Sequence, residues 1–191
     1  MNEISQEKPR LADVGAGFGE LFINRAKTEP EKSFLIIEPL GFPDLPTQEM
    51  PKNLTWIKGR LTDKEALPFQ NGSVDEVNLN FSLSTMYADY QSPDQEFGGY
   101  LQKILREAFR VLKDDGRLIV REERGFCQDV LRPSLDELGA DFRMTPAQKK
   151  DLSLTGQEMW ADYHLDPKKN QRLQPMEVVI TKIANPDTVE A

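Results

Sequence analysis

The segment Asp13-Val14-Gly15-Ala16-Gly17-Phe18-Gly19 carries three glycines at alternate positions, between the apolar pair Leu11-Ala12 and the apolar run Leu21-Phe22-Ile23. Glycine at that density suits neither a helix nor a strand, because it gives up the most backbone freedom on ordering. It suits a turn where the backbone must pass close to something else. The pattern predicts a short strand over 11–14, a bare turn, and a helix over 18–28, where Phe18, Leu21, Phe22 and Ala26 recur near helical spacing. A strand feeding a helix in this way opens a parallel β–α–β unit, which restricts the chain to the α/β class.

The rest of the chain continues the alternation. Ser33 to Glu38 is a nearly continuous apolar run, as expected for a strand covered on both faces. Pro39, Pro43, Pro46 and Pro51 then leave room for a loop with at most one helical turn. Strands are predicted over 53–58, 74–81, 117–120 and 176–183, with a short turn over 63–67 and turn chemistry at Gln70-Asn71-Gly72-Ser73. Residues 96–112 form the clearest amphipathic helix, ended by Lys113-Asp114-Asp115-Gly116. A further helix over 126–139 is kinked or restarted by Pro133. Thr155-Gly156-Gln157-Glu158 has the pattern of a capping box ahead of Met159, Trp160 and Tyr163. The last eight residues are expected to fray. All 191 residues make one domain.

Composition excludes several classes. One cysteine, Cys127, cannot form an internal disulfide, and with a single histidine, His164, it leaves no metal site to expect. No apolar stretch approaches the ~18 residues of a membrane span, and the polar opening MNEISQEKPR is unlike a secretory leader. A cytoplasmic protein without a membrane partner is the expectation. The net charge is -8 and the basic residues are scattered, which counts against nucleic acid as a partner.

In open α/β sheets ligands bind at the carboxyl ends of the strands, where strand order reverses. Glycines there let a ligand lie against backbone beside the positive end of the following helix. Glu38 ends the second strand nineteen residues beyond Gly19, where a carboxylate can accept both hydroxyls of a ribose. A dinucleotide would call for glycine at the sixth position of the motif, but Glu20 stands there. Tyr100 and Lys103 also miss the Tyr-x-x-x-Lys spacing of the short-chain dehydrogenases by one residue. Nicotinamide chemistry is disfavoured.

Four segments together resemble the class I S-adenosylmethionine-dependent methyltransferases. "LADVGAGFGEL" is similar to their first motif and "FLIIEP" to their acidic second strand. "TDKEALPFQNGSVDEV" resembles the stretch around their third and fourth strands, and "REAFRVLKDDGRLIV" their helix and fifth strand. The likeness covers residues 11–121, and "MEVVITK" suits the family's reversed final hairpin. It implies a Rossmann-like, doubly wound, mostly parallel seven-stranded sheet with an antiparallel final strand, in three layers. It also implies S-adenosylmethionine as cofactor. Carried over by position, Gly15, Gly17 and Gly19, with Ala16 between them, line its methionine and ribose part. Asp13 helps hold its amino group through water, and Asn80 completes the set. Glu38 takes the ribose hydroxyls, and Pro39 and Leu40 pack on the adenine. Asp63 falls where the family's Asp meets the adenine amino group, although Thr62 replaces the usual glycine. An alternative alignment anchors Gly59 and leaves Arg60 and Leu61 there instead.

The resemblance places the acceptor beyond the fourth strand, around Asn80 to Thr85. This is not the Asn-Pro-Pro-Tyr of enzymes that methylate amino groups of nucleic acids and glutamine. "GSVDEVNLNF" also resembles the tRNA guanine-N7 methyltransferases, but their Pro-Asp-Pro-Trp and basic run are replaced by "SLSTMYADYQSPDQE". Candidate catalytic groups are Tyr87, Glu122 as the member of the Glu122-Glu123 pair facing the pocket, and His164 as a general base; ion pairing with Arg121 or Arg124 is the structural alternative for the acids. Only ten residues precede Leu11, so acceptor cover is expected from 84–97, from 140–175 with Trp160 and Tyr163, or from a partner chain. The predicted activity is methyl transfer to a small or medium-sized acceptor. Two other readings stay open: a non-catalytic module that binds S-adenosylmethionine, and an RNA methyltransferase.

Overall fold

The computed structural model describes residues 8–15, 19–38, 50–59, 66–84 and 97–183. Seven described strands are β1 (Arg10–Val14), β2 (Ser33–Glu38), β3 (Leu54–Lys58), β4 (Val74–Asn80), β5 (Leu112–Glu123), β6 (Ala140–Pro146) and β7 (Pro175–Ile183). They form one sheet in the order β3-β2-β1-β4-β5-β7-β6. Pairings from β3 to β5 are parallel, and β7 runs antiparallel to both β5 and β6. β7 is therefore the reversed strand, as the family resemblance implies.

The alternation of side chains along each strand sorts the core into two faces. Ala12, Val14, Ile37, Val77, Leu79, Leu118 and Val120 face one side, under α2 (Phe97–Val111). The same side is covered by a helical run made of α3 (Arg124–Phe126), a π-helical segment (Cys127–Leu131) and α4 (Arg132–Glu137). Pro133 lies just past the π-helical segment, at the point where α-helical geometry resumes within a continuous run. Leu11, Phe34 and Ile36 face the other side and pack against Phe22 and Ala26 of α1 (Glu20–Thr28). Three layers result.

The sequence expectation is corrected in three places. β5 is longer than 117–120: Val74 pairs with Leu112 and Glu76 with Arg117, so Lys113 to Gly116 bulge from the ladder opposite Asp75 alone. The segment from 140 begins with edge strand β6, whose Ala140, Phe142 and Met144 pack on the α2 side while Asp141 and Arg143 are exposed. The helix α5 (Leu154–Leu165) starts two residues earlier than a capping box at Thr155 would set it. Ser153 is its N-cap, with the Ser153 side chain accepting from the Gly156 N–H at 3.4 Å. No described helix is long and apolar enough to cross a membrane.

β1 has β2 on one side and β4 on the other. The chain winds outward through β2 and β3 and then returns, so the switch point lies between the carboxyl ends of β1 and β4. Gly15 and Asn80 both stand there.

Candidate cofactor and acceptor site

Gly15 follows β1 directly and has φ 71°. Its N–H donates to the Ile37 carbonyl at 2.9 Å, and a Cβ at this position would lie 2.8 Å from the Ser82 Cβ. Both observations require glycine: the conformation disfavours any L side chain, and the end of β4 already fills the space. Gly19, the N-cap of α1 at φ 68°, answers a different need. A Cβ there would meet Ile36 Cδ1 at 2.6 Å and Trp56 Cζ3 at 2.9 Å, so its bareness seats α1 against β2 and β3. The turn between them, with Ala16 and Gly17, lies outside the described residues, as do Pro39, Leu40, Asp63 and Tyr87.

Three strand ends bring polar side chains together at the switch point. Asp13 is 2% exposed and accepts from the Asn80 amide at 3.1 Å. Glu38, buried at the end of β2, is close enough for its charge to act on Asp13. Burial pushes the Asp13 carboxyl up to about 7; the Asn80 hydrogen bond, Arg121 and Arg25 work against that rise, and Glu38 adds to it. Ser82, also buried and next to Gly15, has a hydroxyl with no partner among the described residues. The sequence reading has Ser82 only within the Asn80–Thr85 stretch on the acceptor side, and not among the cofactor residues. Nothing in an isolated serine after a strand distinguishes it until the Gly15 contact is known.

These features fit S-adenosylmethionine on grounds of chemistry. The cofactor carries an ammonium, a sulfonium and a ribose diol; the site offers two buried carboxylates, an orphaned hydroxyl and backbone without side chains. Buried carboxylates facing a cationic ligand recover on binding what burial costs them.

The two acid–base candidates within the described residues stand elsewhere. Glu122 was expected to face the pocket. It is fully buried on the opposite side of the sheet from Asp13, in line with Leu118 and Val120. Its Oε1 accepts from the backbone N–H groups of Leu83 at 2.8 Å and Ser84 at 3.2 Å, so it holds the chain leaving β4 instead of pairing with Arg121 or Arg124. Its Oε2 is buried with no partner among the described residues, and burial raises this carboxyl to about 7. His164 is exposed in the last turn of α5; its ring stacks on Trp160 with centroids 3.7 Å apart, and Nδ1 lies 2.8 Å from the Trp160 carbonyl.

Past β4 the chain makes a sharp exit. Phe81 has φ 53°, uncommon for a bulky residue, and its N–H donates to the Arg121 carbonyl at 2.8 Å. Its ring packs with Ala147, Leu152, Met159 and Trp160 in a small core of their own. Gly156 of α5 lies so close that a Cβ there would be 2.4 Å from Phe81 Cε2. α5 is thereby fastened over the carboxyl end of β4.

A family model described as a methyltransferase domain matches residues 12–120. The chain belongs to the methyltransferase-domain family. Its fold is that of the class I S-adenosylmethionine-dependent methyltransferases. It is 29% identical over 133 residues to the ubiquinone/menaquinone biosynthesis C-methyltransferase UbiE of Ruegeria sp. (strain TM1040), a match covering 66% of this chain and 47% of that protein. The same-named protein of Dinoroseobacter shibae is 29% identical over 119 residues, 59% of this chain and 42% of that one. The chain thus spans less than half the length of the curated relatives it matches. Among solved structures, the 16S rRNA methyltransferase KamB superposes with a TM-score of 0.61 at 14% identity, over 94% of this chain and 90% of that one. A SAM-dependent methyltransferase from Aquifex aeolicus gives 0.55 at 16% identity, over 93% and 84%. These structural matches carry the fold.

Proposed function

We propose that this chain binds S-adenosylmethionine at the carboxyl ends of β1, β2 and β4 and transfers its methyl group to a small or medium-sized acceptor. The acceptor lies beyond Asn80 and beneath α5. The observation that carries the reading is the convergence of Asp13, Gly15, Glu38 and Ser82 at the switch point of the sheet. Asp13 takes the cofactor's amino group and Glu38 the ribose hydroxyls, while Gly15 keeps the backbone bare beside them. Ala16 and Gly17 continue that lining, Pro39 and Leu40 cover the adenine, and Asp63 meets its amino group.

Bound here, the sulfonium supplies an electrophilic methyl group ready for in-line attack. What the protein adds is placement: proximity and orientation can supply much of the acceleration of such a transfer. Phe81, Trp160 and Met159 exclude water from the β4 end and give the acceptor an apolar wall. No general base is assigned. Glu122 is committed to the backbone of Leu83 and Ser84, and His164 to its own helix.

Mass spectrometry of the purified protein tests the cofactor, and incubation with labelled S-adenosylmethionine and a metabolite pool tests the transfer. The expected result is co-purified cofactor and label in a small product. Stronger binding of NAD than of S-adenosylhomocysteine would overturn the reading. Cofactor binding without transfer to any acceptor would support a regulatory module, and an affinity for RNA that falls steeply with salt would support an RNA acceptor.

A further inference from the structure

Arg121 acts on Asp13 by its charge, and its hydrogen bonds link it to the same group. It leaves β5 on the face opposite Glu122 and is 6% exposed. Its Nη1 donates to two acceptors on β4, Asn78 Oδ1 at 2.9 Å and Asn80 Oδ1 at 3.1 Å. Its Nε and Nη2 both reach Glu177 Oε2 on β7, at 3.0 and 2.7 Å. A guanidinium has five donors and no acceptor, so an amide beside it must turn its oxygen inward. That settles the orientation of both asparagines. The Asn78 amide nitrogen is left for Glu76 at 2.9 Å, and the Asn80 amide nitrogen for Asp13 at 3.1 Å. Without the guanidinium, the Asn80 amide is held by Asp13 alone, and its buried oxygen loses the donor that pins it.

We infer that Arg121 is a positioning residue of the cofactor site: by fixing the Asn80 amide, it holds Asp13 as the acceptor presented to the cofactor's amino group. The chain of contacts crosses four strands, from Glu177 on β7 through Arg121 on β5 and Asn80 on β4 to Asp13 on β1. The inference rests on the reading of Asp13 as a cofactor residue. Among the described residues, the groups that face Asp13 are Asn80 and Arg121 from β4 and β5, Arg25 from α1 and Glu38 from β2. Two of these, Asn80 and Arg121, belong to the chain of contacts, and both favour the carboxylate. Arg121→Met therefore removes one favourable charge and releases the amide that carries the other contribution.

The test is S-adenosylhomocysteine affinity by calorimetry between pH 6 and 8.5, together with the carboxyl carbon titration of Asp13 by NMR in the cofactor-free protein. Expected for Arg121→Met is a titration midpoint moved to higher pH, with binding about 3- to 10-fold weaker at pH 6.5 and approaching wild type at the alkaline end. Arg121→Lys, which keeps the charge, should recover most of the loss. Should Arg121→Met fail to fold, Asn80→Ala reads the same link from its other end, and it too should move the midpoint upward. Superimposable curves, or a loss of equal size at every pH, would overturn the role of Arg121 while leaving the cofactor site standing. A folded wild type that binds no S-adenosylhomocysteine at any pH would overturn the cofactor reading itself, and this inference with it.

Discussion

Glu122 Oε1 accepts the backbone N–H of Leu83 at 2.8 Å, from a side chain with no measurable exposure, across 39 residues of sequence. The bond ties the end of β5 to the chain leaving β4, which bends away sharply at Phe81. Burial keeps this carboxyl protonated to about 7, well above its ordinary value of 4.5. Asp13 behaves alike on the other face of the sheet.

A carboxyl raised on folding destabilises the fold as pH rises. Between its unfolded and folded values the native state holds the proton and the unfolded chain does not, so stability falls from about pH 4 up to about pH 7. Groups held low act in the opposite sense. The Arg25 hydrogen bond leads in holding the Glu29 carboxyl at about 2. At Glu76, burial is outweighed by Asn78, Arg25 and Arg117. Their contribution is present above the usual carboxylate range and is lost toward strong acid. Thermal melts of the cofactor-free protein should therefore show greatest stability near pH 5. Glu122→Gln keeps an oxygen for Leu83 and Ser84 and removes the titration; it should be neutral at pH 5 and stabilising by about 1–3 kcal/mol at pH 8. A variant that is equally destabilised at both pH values would refute the buried-carboxyl account.

Gly156 and Phe81 make the second prediction. Ala at 156 gains about 1 kcal/mol of helix propensity. Its Cβ, however, would sit 2.4 Å from the Phe81 ring and 3.0 Å from Leu152 Cβ, and that ring is packed against Ala147, Leu152, Met159 and Trp160. Overpacking of this kind typically costs ~1–3 kcal/mol. The net expectation for Gly156→Ala is a lower melting temperature with α5 displaced from the β4 end, and Phe81→Leu added to it should restore part of the loss. Additive melting temperatures in the double variant would show that the two residues do not press on each other.

Much of this arrangement was legible in the sequence, and the parts that were not share a cause. Apolar runs such as Phe34 to Ile37 and the helical spacing of Leu101, Leu105 and Ala108 announce themselves because period and hydrophobicity act locally. β6 was missed because Ala140 to Pro146 is short, half exposed and ends in proline, as edge strands often do. The chain of contacts Glu177–Arg121–Asn80–Asp13 was hidden for a different reason. The family resemblance marks Asp13 and Asn80, but Arg121 and Glu177 read as ordinary polar residues in strands, and only the order β1-β4-β5-β7 makes the four neighbours. Likewise Glu122 looked like a pocket acid because its partners are backbone groups, which no sequence pattern advertises.

Trp160 tests the placement of the acceptor. Its ring packs in the cluster around Phe81 and carries His164 on its face and Lys149 at 5.2 Å. Trp160→Ala should raise the acceptor KM or lower kcat at least tenfold, a loss of about 1.4 kcal/mol or more in transition-state stabilisation. The Kd of S-adenosylhomocysteine should move less than about threefold, because the groups acting on Asp13 among the described residues come from β2, β4, β5 and α1 and not from this helix. Equal losses in both quantities, with the fold intact, would move α5 from the acceptor side to the cofactor side.

Glu38 carries the most direct prediction. It is 7% exposed at the end of β2, and its carbonyl accepts the Gly59 N–H at 3.2 Å, so the backbone there is fixed independently of the side chain. A carboxylate that accepts two ribose hydroxyls makes charge-assisted hydrogen bonds, each worth roughly 1.5–3 kcal/mol. Water entering the vacated space returns part of that, leaving a net loss of ~2–4 kcal/mol for Glu38→Ala. Binding of S-adenosylmethionine and S-adenosylhomocysteine should weaken by about 30- to 1000-fold. The fold should survive, since a strand-end acid at a ligand site adds little to core packing. Titration calorimetry, with thermal melts as the folding control, measures both quantities. Unchanged S-adenosylhomocysteine affinity in a folded Glu38→Ala protein would take this residue out of the site, and the ribose would then have to be held from the segments beyond β2.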